Sequence, residues 1–193
     1  FVGKRVHEIL ERLYQFVGRE QLPSLRRVLE RYHAEFDEHY DSDRIRIVRS
    51  ELDVAYYREL GVRCLSDFYR DRYPFDQDET LGLEYHVQID LGGDGRHRVQ
   101  GFIDRVSRTP DGTIEIQDYK TGKWVPSRKQ LDVDRQLALY QLGLMTDFGA
   151  EQPMRLVWLY LARGRTLTST RTPEQLEHLR RDTIVLIDQV EAT

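Results

Sequence analysis

Residues 101–123 read GFIDRVSRTPDGTIEIQDYKTGK, two runs of alternating apolar and polar residues on either side of Thr109-Pro110-Asp111-Gly112. A proline, an aspartate and a glycine in succession favour a tight turn, so the two runs form a hairpin. In the second run Ile114, Ile116, Asp118 and Lys120 share one face of a strand while Tyr119 points to the other, because strand side chains alternate. If the hairpin is centred near Asp111, residues whose numbers sum to about 222 lie opposite each other, which sets Asp104 against Asp118. Directly opposed side chains have Cβ atoms roughly 4.5 to 5.5 Å apart, and like charges there are destabilising. A positive charge is expected between them.

Working outward from this hairpin, Leu81, Leu83, Tyr85, Val87, Ile89 and Leu91 alternate with polar partners, and Gly92-Gly93-Asp94-Gly95 turns the chain into a strand over about Arg98 to Val106. With the strand over about Thr113 to Lys120, the sequence predicts an antiparallel meander. Before it the apolar spacing is helical: Val6, Ile9, Leu10, Leu13 and Tyr14, then Leu22 to Phe36 with Pro23 early in that second helix. A third helix is expected from roughly Asp43 to Tyr69, with Gly61 as a break. After the meander, Leu131 to Phe148 reads as one helix, Arg155 to Leu161 as a buried strand with Arg165 to Thr170 pairing to it, and Thr172-Pro173-Glu174-Gln175 as the capping box of a closing helix. The fold class is α/β (α+β), an antiparallel meander in a mixed sheet flanked by helices. We expect a single domain over residues 1–193, with a mainly helical part over 1–75 and the sheet with its flanking helices over 80–193.

Composition narrows the function class. The chain has 193 residues, 39% hydrophobic and 32% charged, which suits a globular domain with a proper core and leaves no apolar run able to span a bilayer. The segment from Phe1 to Phe16 reads as an amphipathic helix rather than a signal peptide, and the piece is expected to begin inside a longer protein. A single cysteine, Cys64, excludes a disulfide framework and an iron-sulfur cluster within these residues, and a reducing cytoplasm is the natural compartment. The net charge of −4 argues against a uniformly basic coat for nucleic acid, although a cleft can be positive on an acidic body. Lys4, Lys120, Lys123 and Lys129 are the only lysines among 29 basic residues. In so arginine-rich a chain, Lys120 beside Asp118 stands out as a compact point charge of the kind a reaction centre uses.

A hard divalent cation, Mg²⁺ or Mn²⁺, answers the need for charge between Asp104 and Asp118, since such ions are held by one or two carboxylates together with phosphate oxygens. With Lys120 projecting beside it, the arrangement suits phosphodiester hydrolysis, in which the metal activates water and the lysine steadies developing charge. An isolated D-x-K is usually no more than solvated strand charge, with an aspartate such as Asp104 paired to a neighbour such as Arg105. The surrounding motifs decide between these readings.

Gly101-Phe102-Ile103-Asp104-Arg105, Ile116-Gln117-Asp118-Tyr119-Lys120-Thr121-Gly122-Lys123 and Gln136-Leu137-Ala138-Leu139-Tyr140 together resemble the RecB-like branch of the PD-(D/E)xK nucleases, which includes the nuclease domains of recombination helicase-nucleases and the Cas4 proteins. Gly3-Lys4-Arg5-Val6-His7 looks like the N-terminal helix motif of that branch, so the resemblance runs nearly end to end. It implies a restriction-endonuclease-like core. It further implies that His7, Asp104 and Asp118 ligate the metal, that the Tyr119 backbone carbonyl completes the protein ligands, and that Lys120 is the catalytic lysine. Gln136 and Tyr140, one helical turn apart, would contact the active site or the DNA backbone, and Glu84 matches the acidic residue of the first meander strand. Several members of the branch hold an iron-sulfur cluster on four cysteines, and this chain resembles those without one. His33, His39, His86, His97 and His178 match no motif and are read as surface or packing residues.

The expected activity is a Mg²⁺- or Mn²⁺-dependent deoxyribonuclease, an exonuclease of DNA repair or recombination acting on DNA ends or single strands, with a helicase fused or in complex and no membrane role. Arg128 and Arg135 are expected to touch the DNA backbone, and Trp124 and Tyr119 to stack on unpaired bases. Two alternatives compete: a catalytically inactive nuclease-like module that binds DNA or a helicase partner, and a nuclease acting on RNA.

Overall fold

The computed structural model describes residues 1–49 and 51–192. Three helices come first, α1 (Val2–Val17), α2 (Leu25–His39) and α3 (Val54–Arg72). The strands β1 (Glu79–Asp90), β2 (Arg98–Arg108) and β3 (Ile114–Lys120) follow, then α4 (Arg128–Asp132), α5 (Gln136–Phe148), β4 (Met154–Tyr160), β5 (Arg165–Ser169) and α6 (Pro173–Glu191). The strands form one mixed sheet in the order β1-β2-β3-β4-β5, antiparallel except for the parallel pair β3 and β4. That parallel pair needs a long connection, which α4 and α5 supply.

Strand alternation divides the core in two. Tyr119, Val157 and Leu159 point to the side packed by α1, α2 and α3, where Val6, Leu10, Tyr32, Phe36 and Leu65 are buried. Ile114, Ile116, Leu156 and Trp158 point to the side packed by α5 and α6, with Leu137 and Leu144. The sheet is therefore covered on both faces, and β3 and β4, at its centre, are almost wholly buried.

Four local expectations are corrected. Pro23 stands before α2 rather than inside it; Ser24 is the N-cap, and the Pro23 carbonyl accepts a 2.8 Å hydrogen bond from the Tyr69 hydroxyl. The third helix begins at Val54 and not near Asp43, because the Asp53 carboxylate accepts from the Tyr56 amide at 2.8 Å and so caps it. Gly61 does not break that helix. It is buried where α3 crosses α2, and a Cβ there would lie 2.0 Å from the Tyr32 hydroxyl oxygen, so the glycine serves close packing. The helix expected over Leu131 to Phe148 is interrupted between Asp132 and Gln136; Arg171 donates to the carbonyls of Leu131 (2.6 Å) and Asp134 (3.1 Å), satisfying backbone groups that the break leaves free. The capping box at Thr172 and Gln175 is present as expected.

The β1–β2 hairpin changes allegiance along its length. Leu83 and Arg105, paired in register, face the α1 side, where the Arg105 guanidinium lies over the Tyr14 ring at 3.9 Å. Tyr85 and Ile103, the pair that follows, belong to the α5 side. The change falls at Glu84, whose φ of 43° lies in the left-handed region, just beyond a register shift between Thr80 and Gly82. A non-glycine residue held there costs on the order of 1–3 kcal/mol and is commonly found at functional sites.

Candidate active site

The β2–β3 ladder follows the expected register, with Arg105 opposite Gln117 and Val106 opposite Ile116. It stops one pair short of Asp104 and Asp118. Instead of meeting its counterpart, the Asp104 carboxylate accepts a 2.6 Å hydrogen bond from the Tyr119 amide through Oδ2. The strands part here, and both carboxylates sit at the fork.

Asp118 is held by Lys120, whose ammonium donates to Oδ1 at 3.0 Å and forms an ion pair with Oδ2 at 2.7 Å. Oδ2 is buried and, beyond that ion pair, receives no directed hydrogen bond. Burial raises the Asp118 pKa and Lys120 opposes it; the net effect is upward, with the Asp104 charge adding to the rise. The lysine is 37% exposed and therefore open to an incoming anion.

His7 reaches the fork from α1, with Nδ1 3.2 Å from Asp104 Oδ1 and its ring edge-on to Tyr119. Val6, Ile9 and Leu10 are buried on the same helix, and their packing fixes the height at which the imidazole emerges. Burial lowers its pKa, but the hydrogen bond and charge of Asp104, the charge of Asp118 and a hydrogen bond to the Tyr119 backbone outweigh that, so the ring binds its proton more tightly than an ordinary histidine. Glu84 arrives from β1: the pairs Leu83↔Arg105 and Tyr85↔Ile103 set it across from Asp104. Its pKa is raised by burial and by the Asp104 charge.

His7, Glu84 and Asp104 each offer a ligand atom, all within 4.8 Å of one another. Among the described residues no lysine or arginine pairs with Glu84 or Asp104, and His7 pairs with Asp104. A second acidic group, Glu35, Glu38 and His39, is different, because Glu35 is already paired with Arg5, Arg12 and Arg31. The first cluster therefore fits a hard cation and the second does not. Asp118 lies outside the tight cluster, but its buried Oδ2 accepts no hydrogen bond and has only the Lys120 charge beside it, so it could take a share of a cation.

Behind the fork lies a network that the sequence does not announce. Arg105, 1% exposed, donates to both oxygens of Asp78, to Thr80 Oγ1 and to Gln117 Oε1, while Ser107 donates to Asp78 Oδ2. An ordinary Asp104–Arg105 surface pair is thus excluded, since the guanidinium is committed on the opposite face. Asp78 precedes β1 in no recognisable motif, and only the rarity of a fully buried arginine could have pointed to such a partner.

Of the remaining expected residues, Tyr140 lies against β2 at Gly101, where a Cβ would be 2.4 Å from its ring, and Gln136 donates to the Tyr140 hydroxyl at 3.4 Å. The pair is thereby brought beside β2 three residues before Asp104. Tyr119 is 3% exposed and cannot stack on a base, which overturns that expectation, whereas Trp124 is 67% exposed. Arg128 is already engaged by the Thr168 carbonyl and Asp132.

The mixed sheet with helices on both faces thus places acidic residues and a lysine at a fork between strands, a set of side chains that would suit a hard cation and a phosphate. The sequence matches the PD-(D/E)XK nuclease superfamily over residues 2–193, and the chain belongs to that superfamily, whose members are generally metal-dependent nucleases. Among curated proteins, none matches the sequence. No helix among the described residues is long and apolar enough to cross a membrane.

Proposed function

We propose that this chain is a single nuclease domain of the RecB-like branch, a Mg²⁺- or Mn²⁺-dependent deoxyribonuclease that trims DNA ends or single strands in repair or recombination, with a helicase fused or in complex and the cytoplasm as its compartment. The observation that carries the proposal is the convergence of His7, Glu84 and Asp104 beside the Asp118–Lys120 pair. An inactive relative would be expected to lack a ligand or the lysine, and this chain keeps all of them.

In this reading His7, Glu84, Asp104 and Asp118 would hold the cation, together with the Tyr119 backbone carbonyl. When bound, the cation lowers the pKa of a water it holds and neutralises charge on the phosphate. The residues of the chain do the rest. His7 would give up its proton to solvent, leaving Nδ1 free of Asp104 and able to ligate. Asp118 anchors Lys120 so that the ammonium stands at the rim of the fork, where it can orient the attacking water and meet a phosphate oxygen. Tyr119 fixes Asp104 from behind by its amide, and the Arg105–Asp78 network fixes β2.

The test is incubation with 5′-labelled and 3′-labelled single-stranded and double-stranded DNA in Mn²⁺, with EDTA as control. Metal-dependent shortening from an end is expected. The absence of any cleavage of either substrate in Mn²⁺ and in Mg²⁺ would exclude the hydrolytic reading in favour of a binding module.

A further inference from the structure

A groove of about 520 Å³ runs from the start of α1 past the segment before α3 to Thr121, Gly122 and Lys123. Its inner end adjoins the active site: Gly3, one helical turn before His7, lines it, a Cβ added there would lie 3.1 Å from Thr121 Oγ1, and Thr121, which also lines it, follows Lys120. Arg46, Arg49 and Lys123 line it and are exposed, while none of the described residues lining it is acidic, in a chain whose net charge is −4. Tyr56 and Tyr57 form a T-shaped pair in its wall, and Lys123 Nζ stands 4.8 Å from the centre of the Tyr56 ring. Its floor is apolar, from Ile45, Leu52 and Leu60.

Cations beside aromatic faces over an apolar floor are what unpaired nucleotides require: the cations take the phosphates and the rings take the bases. The volume matches pockets that enclose a drug-sized molecule, which admits a nucleotide or two of a single strand and not a double helix. The geometry points to this groove as the channel for the unpaired strand that leads to the scissile phosphate, an inference that rests on the nuclease reading above. Strand selection then lies in the Arg46, Arg49, Tyr56 and Lys123 wall, separate from the residues that hold the cation. Arg128, which the sequence suggested for backbone contact, has no part in it.

The experiment is fluorescence anisotropy in EDTA with a labelled oligothymidylate of about 12 nucleotides, a length within the range of single-strand sites, and a blunt duplex of equal length. Tyr56→Ala is expected to weaken oligothymidylate binding roughly tenfold, with Tyr56→Phe restoring it. The double variant Arg46→Ala/Lys123→Ala changes two exposed side chains, leaves the fold intact, and is expected to reduce the slope of log affinity against log salt by about 1.4. Oligothymidylate affinity and salt slope in the double variant equal to wild type would overturn the proposal, as would wild-type binding of the blunt duplex as tight as that of the single strand. Because EDTA removes catalysis from the measurement, the two readings fail separately. A domain that cleaves but ignores these substitutions loses the groove, and one that never cleaves but responds to them loses the nuclease.

Discussion

Lys120→Ala is expected to lower DNA cleavage by about 10²- to 10³-fold, the usual loss when one preorganised charge at the reacting centre is removed, and to leave the fold unchanged. The lysine is more than a third exposed and its ammonium is paired with Asp118 at the rim of the fork, so its removal opens no cavity in the core. It does leave Asp118 without its cation partner, and in the absence of metal that carboxylate should hold its proton to higher pH, since burial already pushes it upward. A gel assay at saturating Mn²⁺, with thermal unfolding as the control, separates chemistry from stability. Cleavage within a few-fold of wild type would remove Lys120 from the reaction.

Asp78→Ala carries the largest expected effect on stability. It would strand the Arg105 guanidinium, 1% exposed, with neutral partners alone. Removing one member of a buried ion pair typically costs about 3–5 kcal/mol, which for a domain of this size lowers the melting temperature by roughly 10 °C. Arg105 flanks Asp104 directly, so cleavage should fall as well, through loss of position rather than of chemistry. The pH dependence has a definite sign. Burial opposes the Asp78 charge, but the hydrogen bond and charge of Arg105 prevail and hold its pKa below the usual value. Its stabilisation is therefore present above the ordinary carboxylate range and is lost as the pH falls through that depressed value. Calorimetric unfolding of the variant decides the matter, and a melting temperature unchanged from wild type would mean that Arg105 finds another partner.

The sheet was legible because its signals are local. Alternation in 81–91 and 113–120, with glycine and proline turns between, gave the meander and even its register, as Arg105↔Gln117 and Val106↔Ile116 attest. That pattern also put Asp118 and Lys120 on one strand face, while the surrounding family motifs gave the pair its role. Neither His7 nor Glu84 could be placed by it: one is about a hundred residues from Asp104 along the chain, and the other depends on a left-handed residue that no alternation reveals, so only the family resemblance named them. The helix boundaries that were missed share a cause. The break before Gln136 is stabilised by Arg171, which lies 37 and 40 residues beyond the carbonyls it binds. The Arg105–Asp78 network and the groove before α3 were illegible for the same reason, since each is assembled from segments whose local sequence carries no periodic pattern.

The central claim, that His7, Glu84, Asp104 and Asp118 share one divalent cation, is tested most directly by calorimetric titration of Mn²⁺ into wild type and Asp104→Ala at about pH 5 and about pH 8. His7, Asp118 and Glu84 all bind protons more tightly than usual in the metal-free protein, so protons compete with the ion and affinity should rise with pH. Wild type is expected to bind Mn²⁺ weakly at the lower pH and tightly at the higher, and Asp104→Ala to bind weakly at both. Equal binding by the two proteins, or no binding by wild type at the higher pH, would contradict the claim.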